Sequence, residues 1–216
     1  MSATDSGQGA LGKAALRPRS AGTAALGLRV KSGRAVAVVL QGPAESPVVV
    51  QSTVLLLAPP GKPTTWQPFH PVMDLPWKDA VAATRGAAKE AQAAATGGVR
   101  ELQKGVRVLG LELQGAGIVT GSILDPGQIP NPHIRAHAAE GRFFRQAAER
   151  GVAACGLAHR TFAQKTLYQV AARELGCPVE SLRRKLAALG AKHFKPWAAD
   201  EKEAALAAWV VLAGRR

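Results

Sequence analysis

Two apolar runs near the amino terminus constrain the fold of this chain more than any other feature: 26–40, LGLRVKSGRAVAVVL, and 48–57, VVVQSTVLLL. They are rich in β-branched residues, and the first is split by the short polar turn 31–34, the pattern of strand, tight turn and strand. Gly42-Pro43 and Ser46-Pro47 punctuate the chain before the third run. Strands are therefore expected over about 26–31, 34–41 and 48–58, a hairpin or meander of the kind that forms the centre of an α/β sheet.

Downstream, the segment 59–76 carries Pro59, Pro60, Pro63, Pro68, Pro71 and Pro76, a density that argues against any helix and for a surface loop. Trp66, Phe69 and His70 in that loop suit tucking it onto its own domain better than stacking on bases. The spacing of Trp77, Val81, Thr84, Ala88, Ala91 and Ala95 predicts a helix over 77–103, broken near Gly97-Gly98. VRVLGLEL (106–113) reads as a strand with Glu112 and Gln114 on one face, and the glycines at 110, 115, 117 and 121 give the stretch after it a loop-like character. Asn131 and Pro132 suit the N-cap and first position of a helix over 133–150. A short strand near 152–158 and helices near 163–175, 179–190 and 197–213 complete the chain. The order β-β-β-α-β-α-β-α implies an α/β fold, a mixed sheet flanked by helices. Residues 1–23 lack an apolar period and read as a disordered basic tail, leaving 24–216 as the folded domain.

The charge balance bears on partners. Twenty-eight Lys and Arg against fifteen Asp and Glu give a formal net charge of +13, a field that favours nucleic acid or an acidic partner. The competing reading is a basic, Ala-rich chain that binds nothing. The two cysteines, Cys155 and Cys177, form no disulfide framework and no zinc-type spacing, which points to a reducing compartment. The longest apolar run, 204–214, is shorter than the ~20 residues a bilayer requires. A cytoplasmic protein without a membrane partner is the expectation.

Three stretches carry a resemblance. LGLRVKSGRAVAVVL looks like the opening hairpin of the ribonuclease H-like superfamily. AADEKEAALAAWVV (198–211) is similar to the C-terminal helix of its RuvC-type Holliday-junction resolvase branch, whose two acids stand three apart before an Ala/Leu-rich run. HAAEGRFFRQAAERGVAACGLA resembles the small-residue helix and following strand that precede it. The resemblance implies a five-stranded mixed sheet flanked by helices, DNA as partner, a homodimer, and two-metal phosphodiester hydrolysis with Mg²⁺ or Mn²⁺. Carried over residue by residue, Asp200 and Glu203 match the last-helix pair, and Glu112 matches the fourth-strand acid. Where the family has an acid on the first strand, this chain has Arg29, and a guanidinium repels a cation rather than ligating it.

A second constellation, NPHIRAHAAEGRFFR (131–145), sets His133 and His137 one helical turn apart with Glu140 nearby. Two imidazoles and a carboxylate could hold zinc, although the HExxH pattern is absent. Arg135 and Arg145 beside them suit phosphate contact, as does the turn Lys31, Ser32, Gly33 and Arg34. Arg183, Arg184 and Lys185 oppose a leucine stripe, as a solvated face or a nucleic-acid contact. The leading expectation is a nucleic-acid-binding ribonuclease H-like domain with lost or altered nuclease activity. In it Arg29, Lys31, Ser32, Arg34, His133, Arg135, His137, Arg145, Arg183, Arg184 and Lys185 are the candidate contacts. One alternative is an active metal-dependent endonuclease using Glu112, Glu140, Asp200 and Glu203, with Glu112, Asp200 and Glu203 on the metal. The other is a nucleotide-binding or protein-interaction module of actin/Hsp70-like half-domain type.

Overall fold

The computed structural model describes residues 22–59, 63–121 and 123–214, so nearly all of the expected basic tail lies outside the described residues. Strand β1 (Gly22–Lys31) begins two residues inside that tail. It pairs antiparallel with β2 (Arg34–Gln41), and β2 with β3 (Val48–Leu56). Gly33 supplies the positive φ of +72° that the β1–β2 turn requires, and a Cβ there would strike the ring of Trp66, which covers the turn. β4 (Leu111–Thr120) runs parallel to β1, and β5 (His159–Ala163) parallel to β4, giving the order β3-β2-β1-β4-β5. The first strand is therefore the middle of the sheet.

Both faces of β1 are covered, which explains why its sequence is a continuous apolar run rather than an alternating one. Leu26, Leu28 and Val30 join the core under α3 (Arg85–Val108) and α4 (Pro132–Ala154). The alternate residues Ala25, Gly27 and Arg29 face α7 (Ala199–Ala213), which lies between the sheet and the pair α5 (Leu167–Glu174) and α6 (Val179–Leu189). Enclosure on two sides accounts for α7 being buried at every position from Ala204 to Val210. Two glycines set how near α7 comes. A Cβ on Gly27 would collide with the carbonyl oxygen of Ala204, and one on Gly117 with the backbone of Ala207.

Several boundaries differ from expectation for identifiable reasons. The proline-rich segment holds a four-residue helix, α1 (Pro63–Trp66), and a 3-10 turn, His70–Val72. Pro63 and Pro71 stand within their first two positions, where a missing N–H costs nothing. Phe69 stacks on Trp77 at 5.7 Å and meets Phe143 edge-on at 6.0 Å, so it does tuck the segment down. The expected helix over 77–103 is two helices, α2 (Trp77–Ala83) and α3, parted at Thr84 rather than at the glycines. The stripe Ala91, Ala95, Val99, Leu102 and Val106 continues past Gly97-Gly98 and carries the helix with it. That displaces β4, which occupies the glycine-rich stretch expected as loop. α4 likewise runs through to Ala154 and pushes β5 to 159–163. Its start is as expected: Asn131 Oδ1 accepts from the Ile134 N–H at 3.0 Å, with Pro132 at the first position.

Glycines on the two faces should respond oppositely. Gly27→Ala is expected to destabilise the protein by about 1–3 kcal/mol or more through overpacking. Gly97→Ala meets open space in a helix interior and should stabilise by about 0.5–1 kcal/mol. Urea denaturation midpoints check both.

Candidate functional site

α7 crosses β1 and β4 antiparallel: Ala204 lies over Gly27, Ala207 over Gly117 and Val211 over Gly115. Moving toward the carboxyl end of β1 therefore means moving toward the amino end of α7. Arg29, two residues beyond Gly27 on the same strand face, meets the first turns of α7, where Asp200 and Glu203 stand three apart on one helix side. The Arg29 side chain is only 7% exposed, and its Nε lies 2.7 Å from Glu203 Oε2 and 3.8 Å from Asp200 Oδ1. The Glu203 contact is an ion pair in which the N–H is not aligned for a hydrogen bond. The guanidinium donates instead from Nη2 to Gln164 Oε1 at 2.8 Å and from Nη1 to the Val30 carbonyl at 3.0 Å. Gln164 Nε2 in turn donates to Glu203 Oε1 at 2.9 Å, closing a ring of three side chains. Lys31 Nζ, at the rim, lies 2.8 Å from Asp200 Oδ2.

This arrangement bears directly on metal binding. A hard divalent cation requires several anionic oxygens free to converge on it. Here both α7 carboxylates already face cations, two against two, and the guanidinium lies against both of them. The residues present do not fit Mg²⁺ or Mn²⁺ at this position. Glu112 does not supply a further ligand. It is the second residue of β4, opposite Thr23, while Arg29 lies opposite Val119, so the two are six positions apart along β1, about 20 Å at ~3.3 Å per residue. Glu112 instead lines a small recess with Gln103, Arg107 and Cys155. Glu140, buried on α4, is bonded to His70 Nδ1 at 2.7 Å. The four acids of the sequence reading thus occupy three separate places.

The candidate basic contacts divide in the same way. Arg135 Nη2 donates to the Met73 carbonyl at 2.9 Å, and Arg145 lies 3.7 Å from Glu149. Arg183 sits over the Tyr168 ring at 4.5 Å and Lys185 over Trp209 at 5.8 Å. Burial raises the Tyr168 hydroxyl above its ordinary pKa, and Arg183 opposes the shift. Ser32, Arg34 and Arg184 are exposed. At the carboxyl end of the parallel strands a cleft of about 510 Å³ is lined by Arg29, Lys31, Ser32, Thr120, Leu124 and His137. It brings the β1–β2 turn opposite the amino-terminal part of α4. Gln164 and His70 were not singled out from the sequence as site residues. Gln164 is 135 positions from Arg29, and nothing in its neighbourhood signals the contact.

Among solved structures, the fold is shared with RuvC of Thermus thermophilus, both as the protein structure and in complex with Holliday junction substrate. Each overlays with a TM-score of 0.52 at 11% sequence identity, covering 87% of this chain and 92% and 91% of the RuvC chains respectively. No protein-family model matches the chain, and no curated protein matches it in sequence. The chain has the ribonuclease H-like fold.

The buried pair should show the asymmetry of buried charge. Attraction of about 4 kcal/mol at an effective dielectric of ~20 is offset by desolvation of several kcal/mol per ion. Removing one partner leaves the other uncompensated, so Arg29→Met is expected to cost about 3–5 kcal/mol. The double variant Arg29→Met with Glu203→Leu should recover most of that loss, as read from a double-mutant cycle in urea.

Proposed function

We propose that this chain is a nucleic-acid-binding ribonuclease H-like domain in which an ion-pair lock stands where metal-dependent cleavage would otherwise be carried out. The observation that carries the reading is Arg29, buried between Asp200 and Glu203 and bonded to Gln164. A guanidinium in that position holds both acids without any metal, so no phosphodiester hydrolysis is expected there.

Binding then rests on exposed cations rather than on Arg29, which is buried and ion-paired. The loop that feeds α7 carries Lys192, His193 and Lys195, all exposed, and leads directly to Asp200. Lys165 follows Gln164 and is exposed, and Lys31 and Arg34 flank the β1–β2 turn. Exposed cations on these segments suit phosphate contacts that position a strand without reading its sequence. The formal charge of +13 supplies the longer-range attraction. DNA is the proposed nucleic acid, in keeping with the Holliday junction substrate held by one of the RuvC structures of the same fold.

Fluorescence anisotropy with labelled four-way junction, duplex and single-stranded DNA tests the proposal. Binding should weaken about 100-fold between about 50 and 200 mM salt if four phosphates are contacted. Lys192→Glu with Lys195→Glu should weaken it at every salt concentration, and every DNA should stay intact with Mg²⁺ or Mn²⁺ present. Absence of affinity for any DNA or RNA structure at low salt overturns the binding reading. Metal-dependent cleavage that Glu203→Gln abolishes overturns the lock.

A further inference from the structure

We propose that His70, His133 and His137 form a three-imidazole site for a zinc-class divalent cation, with Glu140 orienting the first of them. The site lies on the α4 face of the sheet, apart from the α7 acids, and stands without the nucleic-acid reading.

Two segments build it. The 3-10 turn His70–Val72 brings His70 against the start of α4, where Asn131 as N-cap and Pro132 fix the helix origin. His133 and His137 then project from one helix side, four residues apart. Their Nε2 atoms are 3.1 Å apart, and a donor atom from each of the three rings lies within 4.8 Å of the other two. Bonds of about 2.0–2.1 Å to a tetrahedral ion place imidazole nitrogens roughly 3.4 Å from one another. One pair is already at that spacing, and modest ring rotation brings in the third. The ring planes are nearly perpendicular, at 71–85°.

Glu140 has a different part from the ligand role that spacing alone suggested. Its side chain is 2% exposed, and its Oε1 lies 2.7 Å from His70 Nδ1. In the tautomer that donates Nδ1–H to this oxygen, the Nε2 lone pair of His70 is left for a metal. Carboxylates placed in this way fix the tautomer and raise the basicity of a ligating histidine. A cation next to the cluster also offsets the cost of burying that negative charge. Three neutral imidazoles select zinc and its neighbours over Mg²⁺ or Ca²⁺, which prefer oxygen. His133 and His137 are exposed, and His137 lines the cleft that contains Arg29 and Lys31. The fourth coordination position therefore opens to solvent beside that cleft, where water or the oxygen of a bound anion completes the tetrahedron.

Cobalt titration of the full-length, chelator-stripped protein tests the site. One equivalent of Co²⁺ should give the intense visible bands of a tetrahedral complex, and one equivalent of Zn²⁺ should abolish them. His133→Gln and His137→Gln change exposed positions, should melt normally in EDTA, and should lose both the spectrum and the rise in Tm with Zn²⁺. Glu140→Gln should weaken Zn²⁺ binding about 10–100-fold with the tetrahedral spectrum retained. His159→Gln and the Cys155→Ser/Cys177→Ser double variant should bind as the parent does. No uptake, a purely octahedral spectrum, or tetrahedral binding that survives His133→Gln and His137→Gln overturns the proposal. Undiminished affinity in Glu140→Gln overturns the orienting role.

Discussion

The near approach of α7 to β1 and β4 across Gly27 and Gly117 is the contact on which the rest of the arrangement depends. A side chain at either glycine would run into the α7 backbone, so the helix sits as low on the sheet as main chains allow. At that height Asp200 and Glu203 reach Arg29 directly, and Gln164, just past the end of β5, completes the ring. The small side chains Ala204, Ala207 and Ala208 at the interface serve the same end. The low aromatic content of the chain is, in this light, a condition of the packing and not an oddity of composition.

Parallel pairing explains why the polar groups gather at one edge. β1, β4 and β5 run the same way, so Arg29, Thr120 and Gln164 arrive together at their carboxyl ends. Open α/β sheets commonly bind ligands at that edge, because there the chain leaves the sheet and the crossovers open a crevice. The antiparallel strands β2 and β3 contribute little to the cleft beyond the turn that carries Lys31 and Ser32.

Much of the architecture was legible in the sequence, and the failures have physical causes. The β1–β2 hairpin and its turn were readable because β-branched runs around a short polar turn admit few other structures. The Asn131–Pro132 helix start was readable because capping is local chemistry. The strand expected over 106–113 was misplaced because Val106, at the end of the α3 stripe, also fits a period of two, and only continuity with α3 decides between them. β4 was hidden by its glycines, whose reason for being there is a helix almost a hundred residues later. The site was legible in halves. The family resemblance set Arg29, Asp200 and Glu203 at one place, as a phosphate contact and two metal ligands, and their pairing with one another appears only in the fold. Glu112 was placed wrongly with them because the register of β4 could not be read before its start was known. Gln164 and His70 owe their roles to contacts between distant segments, which no local pattern records.

Strand parity gives the two polar clusters their separate characters. Odd positions of β1 face α7 and even positions face α3 and α4, so Arg29 belongs to one layer while Leu28 and Val30 support the other. On the α7 side, opposite charges meet under cover and cancel, leaving a locked, locally neutral patch that holds itself together without a cation. On the α4 side, three imidazoles converge near solvent beside one buried carboxylate. The first arrangement pairs its carboxylates with cations, and the second presents imidazole nitrogens. One sheet thus separates two chemistries that meet only at the cleft, where Arg29 and His137 line the same space.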